Sequence, residues 1–222
     1  MAVARYIVPR GPNQVQNAFR AIVEVCKRTT IARVKLVVPK KGGWERSIVA
    51  ESLGAASVKA LLKGQPVRVT DGVSMTLESA QNFRAYSNDG LLVGAHISLK
   101  DMNKLDDSPM AQAVMFLPWS DQEDNEWHAT WNPKVIGSTT QTPLRHNLSA
   151  EVEEALSQLT RQINLSTGLN HPSDAEHARR IIAKLRAEGH SFDPADVRRW
   201  AQRHGWDSGA AADLERIARK GK

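Results

Sequence analysis

Ala113-Val114-Met115-Phe116-Leu117-Pro118-Trp119, running on through Ser120-Asp121-Gln122-Glu123-Asp124-Asn125-Glu126-Trp127-His128-Ala129-Thr130-Trp131, decides how this chain folds. A short, continuous apolar run that stops at a proline and passes into an acidic, capped segment reads as a buried strand feeding a helix. A strand that is apolar on both faces needs a layer of helices on each side of its sheet.

Upstream, the same step recurs. Tyr6-Ile7-Val8 ends at Pro9, and after it Val15, Phe19, Ile22, Val23 and Cys26 fall at helical spacing behind a cap at Asn13. Ala32-Arg33-Val34-Lys35-Leu36-Val37-Val38 is β-branched and again ends at a proline. A helical region from Glu45 to Lys63 follows, broken near Gly54 and closed by Gly64. Gln65 to Thr70 is a third strand and Leu91 to Ile97 a fourth, and a short helix over Lys100 to Leu105 leads back to the opening stretch. Between the third and fourth strands the sequence forks. Asp71-Gly72 is a hairpin signal, whereas Leu77 to Ala85 is helix material that would keep the alternation. The alternation favours the helix. The expected fold is a three-layer, Rossmann-like α/β domain over 1–137 with a five-stranded, mostly parallel sheet. A linker over 138–148 then leads to an all-helical module over 149–222.

The chain has 222 residues, 41% of them hydrophobic, and a formal charge of +6. That supplies a normal core and favours polyanionic partners. Its single cysteine, Cys26, lies in an apolar helical pattern and reads as a small core residue. No stretch is long and apolar enough for a signal peptide or a membrane span, so a soluble bacterial cytoplasmic protein with no membrane partner is expected.

No nucleotide, metal or nucleophile motif carries weight, so no cofactor, metal or catalytic residue is assigned. In an open parallel sheet, ligands bind beyond the carboxyl ends of the strands. The candidates there are Arg10, Lys40, Lys41, Asp71, Trp119 and Asp121. The three cations beside helix N-termini suit a phosphate, and Asp71 with Asp121 is a candidate acid-base pair that also reads as turn and cap residues. Trp127 and Trp131 share a helix face and read mainly as core; Glu123 and Glu126 read as solvated.

In the tail, Val197-Arg198-Arg199-Trp200-Ala201-Gln202-Arg203-His204-Gly205-Trp206 resembles the first helix of the small DNA-binding domain at the C-terminus of actinobacterial histone-like nucleoid-structuring proteins. The resemblance covers about thirty residues and implies a two-helix module, with DNA as a partner. It departs from the family where a basic Arg-Gly-Arg loop would enter the minor groove, because this chain has Trp206-Asp207-Ser208-Gly209 there. Arg198, Arg199, Arg203, Arg216, Arg219 and Lys220 remain as a surface for phosphates.

Three functions follow as expectations. The first is a nucleic-acid-associated protein whose basic tail contacts phosphates. The second is an enzyme or sensor for a phosphate-bearing small molecule at the strand ends. The third is an oligomeric scaffold.

Overall fold

The computed structural model describes residues 3–85, 90–138 and 147–220. The chain divides into two compact units, one of residues 1–128 with 132–142, the other of 129–131 with 143–222.

The first unit is built on a seven-stranded sheet. The strands are β1 (Ala4–Ile7), β2 (Arg33–Val38), β3 (Val67–Thr70), β4 (Val73–Ser79), β5 (Gly90–Ala95), β6 (Ala111–Leu117) and β7 (Lys134–Val135). They lie in the order β3-β4-β2-β5-β6-β1-β7, and all pair in parallel except β3 with β4. All six residues of β5 and all but Gln112 of β6 are buried, as central strands covered on both faces must be. Ala113, Met115 and Leu117 face the core beneath α1 (Gln14–Thr29), α2 (Ile48–Leu53) and α3 (Ala55–Leu62). The alternate residue Phe116 turns to the other face, edge-on to Trp127 of α5 (Asp121–Trp131) at 5.5 Å between ring centroids. On that face Met102 and Leu105 of α4 (Leu99–Asp106) are also fully buried. The α/β class and the three layers are therefore as expected, with seven strands where the sequence suggested five.

The fork is resolved against the alternation. Asp71-Gly72 joins β3 and β4 as an antiparallel hairpin, with Gly72 at φ 72°, a left-handed conformation that glycine adopts without steric cost. Leu77, expected to begin a helix, instead lies near the end of β4, whose burial alternates residue by residue from Val73 to Ser79. The two-residue turn and the period-two pattern outweigh the helical propensity of the segment after them. β4 then lies parallel to β2, from Arg33 opposite Ser74 to Val38 opposite Ser79.

Two features hold this unit in register. Gly90 opens β5 at φ 84°, and a Cβ there would stand 2.3 Å from the carbonyl oxygen of Arg33. Asp106, whose side chain is 1% exposed, accepts hydrogen bonds from Arg5 Nε of β1 at 2.8 Å and from Trp127 Nε1 of α5 at 2.7 Å. One carboxylate thus ties together the end of α4, a strand and the next helix. Cys26 is buried in α1, where desolvation pushes its thiol pKa up, as befits a core residue.

The second unit holds α6 (Ala150–Gln162), α7 (Pro172–Ala187), α8 (Pro194–Arg203) and α9 (Ser208–Lys220), close to the bounds that caps and glycines give in the sequence. Ser149 caps α6, Asp193 caps α8 ahead of Pro194, and Gly189 and Gly205 follow the helix ends at φ 86° and 89°. Val152, Leu156, Ile182, Val197, Trp200 and Leu214 are among its buried residues. Trp206 is buried too, donating from Nε1 to Thr160 Oγ1 at 2.9 Å.

Candidate functional site

Helix connections that leave neighbouring strands in opposite directions open a crevice at the carboxyl end of a parallel sheet. In this strand order β1 and β6 are such neighbours, since α1 carries the chain from β1 toward β2 and α5 carries it from β6 toward β7. The residues leaving those strands, together with the exit of β5, form the candidate site.

Gln14, buried at the start of α1, is its hub. Its side-chain Nε2 donates to the carbonyls of Val8 at 3.0 Å and Pro118 at 3.1 Å, one at each strand exit. Its Oε1 lies 3.1 Å from Nε2 of His96, the residue after β5. His96 sits at φ 55°, a left-handed conformation unusual for a residue with a side chain, and its backbone N–H donates to Leu117 O at 3.0 Å. Beside it, Trp119 meets the imidazole edge-on at 4.9 Å and leaves 65% of its own surface exposed. Pro118 ends β6, and the α5 capping box begins one residue after Trp119. Ser120 Oγ accepts from Glu123 N, while Glu123 Oε2 accepts from Trp119 N at 2.9 Å and Ser120 N at 3.2 Å. Glu123, expected to be solvated, is instead the group that fixes the backbone carrying Trp119. Ser120-x-x-Glu123 is the sequence pattern that signals it.

Burial pushes the His96 imidazole below its ordinary pKa near 6.5, with the Glu123 carboxylate pulling the other way. The fold thus favours neutral His96, and the unfolded chain binds more protons in the window just below pH 6.5. Stability should therefore fall as pH drops through that window. Asp124 is shifted the opposite way, upward, chiefly by burial, so its effect on stability has the opposite sign. Comparing denaturant midpoints of the wild type and His96→Gln between pH 7.5 and 5 isolates the histidine. Its share is the acid-side loss that the variant lacks, and equal losses in the two proteins would refute it.

The sequence-derived candidates divide. Arg10 and Asp121 come together across the β1 and β6 exits, with Arg10 Nη1 2.6 Å from Asp121 Oδ1, two residues after Trp119 in the chain. Lys40 and Lys41 follow β2 on the same end of the sheet; Lys41 Nζ pairs with Glu78 Oε1 at 3.3 Å, and Lys40 is exposed. Asp71 does not belong with them. β3 runs antiparallel, so its turn lies at the opposite end of the sheet, where Asp71 pairs with Arg68. That removes the Asp71–Asp121 acid-base pair. Among the described residues no three His, Cys, Asp or Glu side chains gather as a metal site. Two grooves lie away from the rim. One, of about 580 Å³, runs along α2 and α3; another, of about 420 Å³, lies between α1 and β3. The first has apolar walls with charged side chains at its edge, and the second mixes Gln16, Arg20 and Arg68 with apolar residues.

In the helical unit, most of the tail cations face carboxylates. Arg198 and Arg219 pair with Glu215, Arg199 with Asp196 at 2.9 Å, and Arg216 with Asp213. Arg203 is partly buried, and Lys220 is exposed. Residues 149–222 carry 12 Lys and Arg against 11 Asp and Glu, while residues 1–148 carry 18 against 13. The chain's positive charge therefore resides mainly in the α/β part. Between α8 and α9, Asp207 Oδ1 accepts from the backbone N–H groups of Gly209 and Ala210, and Trp206 faces the core.

Residues 149–222, about a third of the chain, match a domain of unknown function, DUF1889. Neither a curated protein nor a solved structure matches the chain. No helix among the described residues is long and apolar enough to cross a membrane.

Proposed function

We propose that the α/β unit binds a nucleotide-like ligand, a planar ring joined to an anionic group, at the rim formed by the exits of β1, β2, β5 and β6. Trp119 carries this reading. An indole left 65% exposed, on a backbone pinned by the α5 capping box and beside a partly buried histidine, is a pre-positioned stacking surface. Stacking a base on such a ring contributes about 1–3 kcal/mol. Arg10, Lys40 and Lys41 supply cations for the anionic group. Arg10's pairing with Asp121 is solvent-exposed and worth less than about 1 kcal/mol, so a phosphate can take over the guanidinium at small cost.

The same groups suit one nucleotide of a single strand. Nucleic-acid association, if the chain has it, is therefore proposed to run through this rim, because the helical unit is nearly balanced in charge and most of its arginines are engaged.

Tryptophan fluorescence and thermal melting, with adenosine and uridine monophosphates, inorganic phosphate and a short single-stranded oligonucleotide as probes, test the proposal. The nucleotides should raise the melting temperature by mass action. Trp119→Ala should abolish the shift while leaving the melting temperature of the free protein within a few degrees. If no nucleotide or oligonucleotide at millimolar concentration moves the melting temperature of the wild type, the proposal is wrong.

A further inference from the structure

The hydrogen bonds around Gln14 fix the proton on its histidine neighbour. Both amide hydrogens of Gln14 are committed, one to Val8 O and one to Pro118 O. Turning the amide over would set its oxygen against two carbonyl oxygens, so the group facing His96 is the amide oxygen, which can only accept. Neutral His96 must then carry its proton on Nε2 and donate it to Gln14. The other ring nitrogen, Nδ1, is left as a lone pair directed away from Gln14 by the geometry of the imidazole. Among the described residues nothing hydrogen-bonds to it.

We propose that His96 Nδ1 is a specificity-determining acceptor, which selects ring ligands whose edge presents an N–H donor beside the indole of Trp119. The proposal rests on the rim being a ring-binding site, and it names the edge chemistry that the site takes. Three strand exits cooperate in it: β1 and β6 provide the carbonyls that orient Gln14, and β5 delivers His96 at its left-handed φ. Gln14 is a positioning residue, acting on the ligand only through the tautomer it imposes. A buried donor–acceptor match discriminates more sharply than apolar contact, because a ligand lacking the donor leaves the site's acceptor dry and unpaired.

Two measurements decide it. In the free protein, long-range proton–nitrogen correlation of the imidazoles, with His96 assigned by its loss in His96→Gln, should show the Nε2-protonated form at pH 8. An Nδ1-protonated ring overturns the inference whatever binds. With ligands, adenosine monophosphate is compared with purine riboside monophosphate, which lacks only the exocyclic amino group. The amino-bearing probe should bind about tenfold more tightly, and that preference should vanish in His96→Phe, which keeps a ring against Trp119. Equal binding of the two probes to the wild type overturns this inference and leaves the ring-binding proposal standing. Binding of neither overturns both.

Discussion

Replacing Asp106 with alanine should cost the α/β unit about 3–5 kcal/mol, because it removes the carboxylate facing a partly buried guanidinium and the acceptor of a buried indole N–H. Trp127 is fully buried, so water cannot replace the acceptor it loses, whereas Arg5, 17% exposed, keeps its hydrogen bond to Val3 O. At roughly 3 °C per kcal/mol for a unit of this size, the expected fall in melting temperature is about 10–15 °C. Asp106→Asn, which keeps an acceptor for Trp127 but not the charge facing Arg5, should lose less. Arg5→Met in the Asp106→Ala background should recover part of the loss by removing the uncompensated charge. Urea unfolding followed by far-ultraviolet dichroism reads all four proteins. A loss below about 1 kcal/mol for Asp106→Ala would show that the carboxylate does not hold the three elements together.

Gly90→Ala should cost a comparable amount by a different route. Two terms add: the strain of a side chain at φ 84°, about 1–3 kcal/mol, and the displacement needed to relieve a 2.3 Å approach to the Arg33 carbonyl, again about 1–3 kcal/mol. The obstacle is backbone of the neighbouring strand, so no rotamer change can absorb it. Gly64→Ala, with a similar φ of 76° but open space around it, should pay only the first term. The difference between the two variants, read from their denaturant midpoints, is the steric part. Equal costs would mean that β5 shifts freely away from β2.

The sequence made some of this fold easy to see and hid the rest for reasons that can be named. β5 and β6 are legible because a strand buried on both faces is almost wholly apolar, β2 because it is β-branched, and each ends at a proline or a capped turn. The tail helices are legible because Ser149 caps α6, Asp193 with Pro194 opens α8, and Gly189 and Gly205 follow the ends of α7 and α8. β4 is hard to read because regular alternation of strands and helices competes with Asp71-Gly72, a local signal with a stereochemical cause. β7 has two residues and no pattern that could reveal it. The hairpin also decides where Asp71 lies, since the direction of β3 sets which end of the sheet its turn occupies.

At the rim, Arg10, Trp119 and Asp121 were legible from the rule that ligands gather where parallel strands end. Gln14 and His96 were not. They stand 82 positions apart and meet only because α1 and β5 deliver them to the same crevice. Nothing in the neighbourhood of either residue distinguishes a hub from a solvated helix start, or a tautomer-locked ring from an ordinary histidine after a strand.

The strand order also makes the rim a ruler. Between β6, which ends beside Trp119, and β2, which ends beside Lys40 and Lys41, lies a single strand, β5. Two inter-strand steps of about 4.8 Å put the β2 exit roughly 10 Å from the β6 exit. A ring seated at the tryptophan reaches the lysines only through a spacer of about the length of a sugar. A free base or a free phosphate would engage one end of the scale. Length is thus set by the same strand order that places the core.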